Sequence, residues 1–375
     1  MVAAKNSNHP DYILLGTIGF LLALGIVILA SVSAPFSQER FGQTFYYLKR
    51  QFLLGFLPGI ILGILAFKMP LTFLKRIILV LFLINLLLLA MVFLPNFGVE
   101  VGGARRWISL GPLTFQPSEF LKISFIIYLA AWLTKDSNLQ SEKRKRGLGE
   151  GIKLMAFLII IGIIVAVLFY QPDFSTMALI VAVAILMFFA AKTPIRSTVL
   201  IIFFVLACFA ALFQLAPYRM DRFKVFLNPE IDPLGIGYQL RQSLIAVGSG
   251  GVSGLGLGMS HQKLGFLPHS LADSIFAVFA EETGLIGSLI LILLFLIFYW
   301  RGIEISKKSS SEFSQLVALG ISSWITLQAF WHIGSLIGIL PLSGIPWPFI
   351  SYGASHLVTE LCGVGILLNI SKEKQ

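Results

Sequence analysis

Ten long apolar runs dominate the pattern of hydrophobic and polar positions: 12–34, 52–67, 77–94, 118–134, 154–170, 174–191, 197–216, 274–300, 316–340 and 351–370. They are continuous and do not alternate, so they predict helices and not the strands of a membrane barrel. A helix needs about 17–25 apolar residues to cross a bilayer, and each run fits within a few residues at its ends. The predicted fold class is an all-α polytopic membrane protein, a single domain over 1–375 with about ten transmembrane helices. The first run begins near Tyr12, is long enough to span and has no small-residue site behind it, so no cleavable leader is expected. The pattern fails for longest over 217–273, which predicts a large loop holding re-entrant or short helices.

Charge orients this plan. Most of the 28 lysines and arginines fall in alternate connections, including both termini and the run Lys143-Arg144-Lys145-Arg146. Cations collect on the cytoplasmic side, so both termini are expected there, with 217–273 on the outside. The balance of +10 is therefore no sign of a nucleic-acid partner. Residues are 57% hydrophobic and 12% charged, about half the charge of a soluble chain. Cys208 and Cys362 lie inside apolar runs and read as small core residues. The connection 95–117, PNFGVEVGGARRWISLGPLTFQP, reads as an outer loop whose glycines and prolines break helices, with Trp107 at the interface. Pro117-Ser118-Glu119 reads as a helix start.

Charged residues beside hydrocarbon demand a reason. Glu119 and Lys122 share a helical face, Asp173 sits in an almost loopless turn, and Asp273 opens an apolar helix with an N-cap role open to it. Arg105, Arg106, Arg219, Arg222 and Arg241 lie on loops that could converge. Cations with a few carboxylates in one outward cavity suit an anionic, lipid-linked substrate, because arginine holds phosphate oxygens bidentately. The run GSGGVSGLGLG at 248–258 lacks the register of a nucleotide loop and reads as backbone for a re-entrant or broken helix. His261, His269, His332 and His356 are scattered and predict no metal site. No cofactor is read from the residues, although a divalent cation, Mg or Mn, is compatible with diphosphate chemistry.

Four stretches resemble the SEDS family, the FtsW/RodA type of cell-wall proteins: GARRWISLGPLTFQPSEFLKI (103–123), YQPDFSTM (170–177), the segment 228–284 from NPEIDPLGIGYQLRQSLIAVGSGG to ADSIFAVFAEETG, and LPLSGIPWPFISYGAS (340–355). The resemblance covers nearly the whole chain with the same ten-span plan. It implies a SEDS fold and peptidoglycan glycosyltransferase activity on lipid II, with release of undecaprenyl diphosphate. It implies a multi-pass place in the bacterial cytoplasmic (inner) membrane, with the active site facing outward. It also implies a class B penicillin-binding protein as transpeptidase partner, beside other divisome or elongasome membrane proteins. The family's catalytic acid lands on Asp273. Its other cavity residues land on Arg105, Arg106, Trp107, Gln116, Ser118, Glu119, Lys122, Asp173, Gln242, Ser243 and Lys263. QSLIAVGSGG followed by GLGLGMSHQK is closer to the division (FtsW) branch, since the elongation (RodA) branch more often has lysine where Leu244 stands. Many members place histidine two residues before the acid and glutamate four before it, where this chain has Leu271 and His269. Ala354, His356 and Glu360 also depart from the pattern.

The residues suit this chemistry without the family name. Glycosyl transfer needs a base for a sugar hydroxyl, and diphosphate is already a good leaving group that cations stabilise. One acid, Asp273, with Arg105, Arg106, Lys122 and Arg241 as diphosphate holders, fits better than the matched carboxylate pair of a hydrolase. Two rivals are a transporter that flips the lipid-linked precursor and a scaffold for the transpeptidase. A transporter is disfavoured by the lack of an inverted repeat and by polar residues gathered toward one side.

Overall fold

In the computed structural model, the residues described are 9–95, 97–101, 104–111, 113–135, 148–191, 193–215, 217–232 and 234–372. They form helices α1 (Tyr12–Phe41), α2 (Tyr46–Lys68), α3 (Leu71–Met91), α4 (Pro117–Thr134), α5 (Leu148–Tyr170), α6 (Phe174–Ala190), α7 (Ile195–Leu215), α8 (Pro217–Leu227), α9 (Ile236–Ser249), α10 (Ile275–Lys308), α11 (Glu312–Leu336) and α12 (Ala354–Ile370). All ten apolar runs fall on helices. Six of these, α1, α2, α3, α5, α10 and α11, are long and apolar enough to cross a membrane. Helices α6 and α12 and the first part of α7 are apolar but shorter. Helix α4 carries Glu119 and Lys122 and starts at Pro117, as the sequence predicts. The basic run 143–146 lies outside the described residues.

Helix α11 is the centre of the bundle: 78% of its apolar window is buried, against 22–39% for the other five long helices. Helix α12 lies along α2 because Gly63 and Gly365 leave no room for a Cβ between the two backbones. Asp11 caps α1 by accepting from the Leu14 N–H at 2.9 Å. It also pairs with Arg301 of α10, and its own N–H donates to Ser371 Oγ at 3.0 Å. The start of α1 and the ends of α10 and α12 therefore meet at one end of the bundle. Asp273 lies just before the other end of α10.

The connection 95–117, read from the sequence as a helix-breaking outer loop, carries strands that the reading did not predict. Strands β1 (Gly98–Val101), β2 (Ala104–Leu110) and β3 (Leu113–Phe115) form an antiparallel sheet in that order. Glu100 pairs with Arg105 across β1 and β2, after a bulge between Val99 and Glu100. Strand alternation decides the fate of the two adjacent arginines. Arg105 is exposed beside Glu100, whereas Arg106 shares the inward side with the buried Ile108.

The glycine run also has a specific place. Helix α10 breaks at Gly284, which holds φ 65° and ψ −163°. A break frees backbone groups that must find partners in an apolar setting. The run supplies them. Leu285 and Ile286 donate to the carbonyls of Gly251 and Val252 at 2.9 and 3.2 Å, and Leu255 and Gly256 donate to the carbonyls of Glu281 and Glu282, both at 3.0 Å. The broken helix is thus α10, and 251–256 patches it.

Candidate active site

Asp273 was expected to cap the helix that follows it. Instead, Ser274 is the residue before α10, and Asp273 belongs to a tight turn closed by the Ala272 and Ser274 N–H groups on the His269 carbonyl, both at 3.1 Å. His269 holds a left-handed φ of 54°. Ser274 Oγ donates to Pro268 O at 2.9 Å and accepts from Gln239 Nε2 at 3.0 Å. The half-buried carboxylate of Asp273 thus faces a cavity of about 390 Å³, whose lining includes Arg222, Gln239, His269, Ser335 and Gly344. Burial pushes the Asp273 carboxyl above its usual range; His269, Arg222 and Arg106, in that order, draw it back down. A carboxylate so raised, with positive neighbours to orient it, is better matched to taking a proton near neutral pH than a solvated one.

A smaller pocket of about 80 Å³ adjoins this cavity and shares Arg222 and Leu342 with it. Arg106 and Asp173 line it. Arg106 donates to the carbonyls of Gln171 and Pro172, which fixes its guanidinium at the pocket wall. Asp173 caps α6 through Thr176 N at 3.4 Å and accepts from Ser118 Oγ at 3.0 Å and Gln116 Nε2 at 3.4 Å. Gln116, Ser118, Arg106 and Asp173 therefore form one constellation, joined to Asp273 through Arg222.

Other expected site residues lie elsewhere. Lys122 is buried, 2.7 Å from Glu119 and 2.9 Å from Gln328 Oε1, with its ammonium 5.3 Å from the Trp324 ring centroid. It is engaged in an internal ion pair and does not line the Asp273 cavity. Lys263 is buried 2.7 Å from Glu282 and donates to Ser31 Oγ and Gly258 O, so it ties α1 to the broken helix. Arg105 and Arg241 are exposed, and Trp107 and Gln242 are half-buried outside the cavity lining. Ser243 is buried and donates to Gln239 O at 2.9 Å. Gln239, one turn before Ser243, is the residue of α9 that reaches the cavity.

Gln239, His269 and Ser335 were not among the predicted site residues, whereas Arg222 was one of the loop arginines that could converge. His269 had a signal as a departure from the family pattern: the usual histidine position holds Leu271, but a histidine still reaches the acid. Ser335 lies inside an apolar run and had none.

Comparison with known proteins agrees with this architecture. The profile of the FtsW/RodA/SpoVE cell cycle proteins matches residues 12–375. The chain is 38% identical to stage V sporulation protein E of Bacillus subtilis (strain 168), over 99% of both chains. It is 37% identical to the "probable peptidoglycan glycosyltransferase FtsW" of Nitrosococcus halophilus, over 98% of this chain and 94% of the relative. Among solved structures it resembles a chain of a peptidoglycan synthase complex that coordinates polymerization and crosslinking, with a TM-score of 0.76 and 25% identity over 96% of this chain and 97% of that one. It also shares its fold with the rod shape determining protein RodA of Thermus thermophilus, with a TM-score of 0.69 and 23% identity over 97% of each chain. A profile match over almost the whole length, with relatives above a third identical end to end, makes this chain a member of the FtsW/RodA/SpoVE (SEDS) family.

Proposed function

We propose that this protein is a peptidoglycan glycosyltransferase that polymerises lipid II, with Asp273 as the general base. The observation that carries the reading is the Asp273 carboxylate, raised by burial and facing a cavity that also holds Arg222 and His269. In the proposed step, Asp273 takes the proton of the acceptor sugar's C4 hydroxyl. The freed oxygen pair attacks the anomeric carbon of the lipid-linked donor. The bond from that carbon to the diphosphate oxygen breaks, and its electron pair leaves with undecaprenyl diphosphate. The displacement inverts the anomeric centre. Arg106 stays a holder of the diphosphate and Arg222 joins it, while Lys122 drops out because its ammonium is engaged by Glu119 and Gln328. Among the described residues no three His, Cys, Asp or Glu side chains come together as a metal cluster. No step is routed through a metal.

In this reading the domain spans 1–375 in the bacterial cytoplasmic membrane. Both termini are cytoplasmic, and 217–273 lies outside with the cavity. The FtsW name of several relatives supports the division branch, and in this reading the transpeptidase partner is a class B penicillin-binding protein. The test is Asp273→Asn in purified, folded protein given lipid II. Loss of glycan synthesis by at least ~100-fold is expected of a general base; full synthesis would overturn the assignment. Transport of lipid II in vesicles by the inactive variant would favour the flipping alternative.

A further inference from the structure

The segment 341–353 joins α11 to α12 without regular structure, yet Ile345, Trp347, Phe349, Ile350 and Ser351 are all buried. Irregular backbone inside an apolar bundle persists only where protein groups satisfy it. Phe349 holds a left-handed φ of 65°, which a bulky side chain adopts only when its surroundings impose it. The group that holds it is Glu360, on the second turn of α12 and fully buried. Glu360 Oε2 accepts from the Phe349 N–H at 2.8 Å, and Oε1 accepts from Gln328 Nε2 at 3.3 Å. That same nitrogen donates to Pro346 O at 2.9 Å. Gln328 cannot turn around, because its Oε1 is taken by Lys122 Nζ at 2.9 Å and Trp324 Nε1 at 2.8 Å. Glu360 and Gln328 together therefore grip 346–349 from two helices.

The gripped segment carries the Asp273 turn. Ser351 Oγ accepts from Trp347 N at 2.8 Å and donates to Ala272 O at 2.7 Å. Tyr352 N donates to Leu271 O at 3.0 Å. A Cβ on Gly344 would stand 3.4 Å from Asp273 Oδ2. The two residues before Asp273 thus hang on two residues just beyond Phe349. The far end of the segment has anchors of its own: Gln51 Oε1 accepts from Gly353 N at 2.9 Å, and His356 Nε2 lies 3.1 Å from Ser351 O.

We propose that Glu360 is a positioning residue for the reaction: by holding Phe349 it sets the re-entrant segment and, through Ser351 and Tyr352, aims the turn that presents Asp273 to the cavity. Glu360 touches no substrate. The inference rests on the reading of Asp273 as the base for its kinetic consequence, but not for its structural one. A carboxylate buried among helices is costly, so its presence calls for a role of this kind.

The test uses the full chain, purified in lipid nanodiscs, as Glu360→Met and Glu360→Gln. Hydrogen exchange is followed over 341–353 and 268–274, and lipid II polymerisation is followed against pH. Methionine removes both acceptors. Exchange in both segments is expected to rise, kcat to fall ~10–100-fold as the base loses its aim, and KM to stay within about twofold. The acid limb should move to higher pH as Asp273 drifts from its positive neighbours. Glutamine can still accept from Phe349 but turns its amide nitrogen toward the Gln328 nitrogen, so it should fall between wild type and the methionine variant in both readouts. Where the methionine variant does not fold, Glu360→Asp, with its acceptor drawn back by a methylene, serves for the same readouts. Unchanged exchange in both segments overturns the proposal whatever the activity. Unchanged kcat and acid limb despite faster exchange overturns the link to Asp273. Activity retained by Asp273→Asn would sink the base assignment alone, because the exchange arm does not depend on it.

Discussion

Gly284 and Gly254 meet backbone to backbone where α10 breaks. A Cβ on Gly284 would collide with the Gly254 nitrogen and stand 2.7 Å from Val252 O. Gly284 also holds φ 65°, which costs any L side chain. Both effects act in the same direction, so Gly284→Ala should lose about 2–3 kcal/mol. The neighbour cannot yield, because Leu285 and Ile286 take their hydrogen bonds from the same run. Thermal unfolding in detergent, followed by intrinsic fluorescence, should show a clearly lowered Tm. An unchanged Tm would mean that the glycine run does not patch the break.

The helices were legible in the sequence because crossing hydrocarbon demands a long unbroken apolar run, which is a one-dimensional signal. The sheet was not. Its strands are short, and what holds β2 is pairing with β1 and β3, which the glycines and prolines of 95–117 concealed. The same distinction separates the site residues. Asp273 was singled out by the family resemblance, and its place before an apolar run agreed with that. The fates of Lys122 and Lys263 could not be read, because they are decided by Gln328, Glu282 and Ser31, which are distant in sequence and adjacent in space. Arg105 and Arg106 looked equivalent until strand alternation separated them.

The Asp273 assignment carries a pH prediction. A general base works only when ionised, so activity should rise with pH through its raised pKa. His269 and Arg222 oppose the effect of burial, and removing either lets burial act more fully. Arg222→Gln and His269→Gln should each move the acid limb to higher pH. Arg222→Gln should also lower kcat/KM by about tenfold or more, as expected for a lost charge-assisted contact to diphosphate. Rate against pH at saturating and limiting lipid II separates the two effects. An acid limb that stays fixed in both variants would detach Asp273 from the titration.

Stability should move opposite to activity at this residue. The folded state raises the pKa of Asp273, so it holds the proton more tightly than the unfolded chain does. Stability therefore falls as pH rises from the unfolded value, ~3.9, through the folded one. Asparagine removes the ionisation that is disfavoured. Asp273→Asn should be inactive yet melt above wild type at pH 7–8, with the difference shrinking as pH falls toward ~4. Melting curves across that range check the sign. An asparagine variant less stable than wild type at neutral pH would show that the carboxylate is favoured by contacts beyond these neighbours.

Lys122 should tolerate substitution less well than Glu119, although they form one ion pair at 2.7 Å. The ammonium has Glu119 beside it and Glu360 within electrostatic reach, bridged by Gln328. Lys122→Met leaves two buried carboxylates without their cation, and breaking a buried pair by removing one partner costs about 3–5 kcal/mol. Glu119→Gln leaves the ammonium bonded to Gln328 with Glu360 still near, so its loss should be smaller. Combining the two substitutions removes one cation and one anion, and should recover part of what Lys122→Met loses. A double-mutant cycle on thermal or denaturant unfolding measures the coupling directly. Equal losses for the two single variants would show that Glu360 does not share the charge of Lys122, and that the pair acts alone.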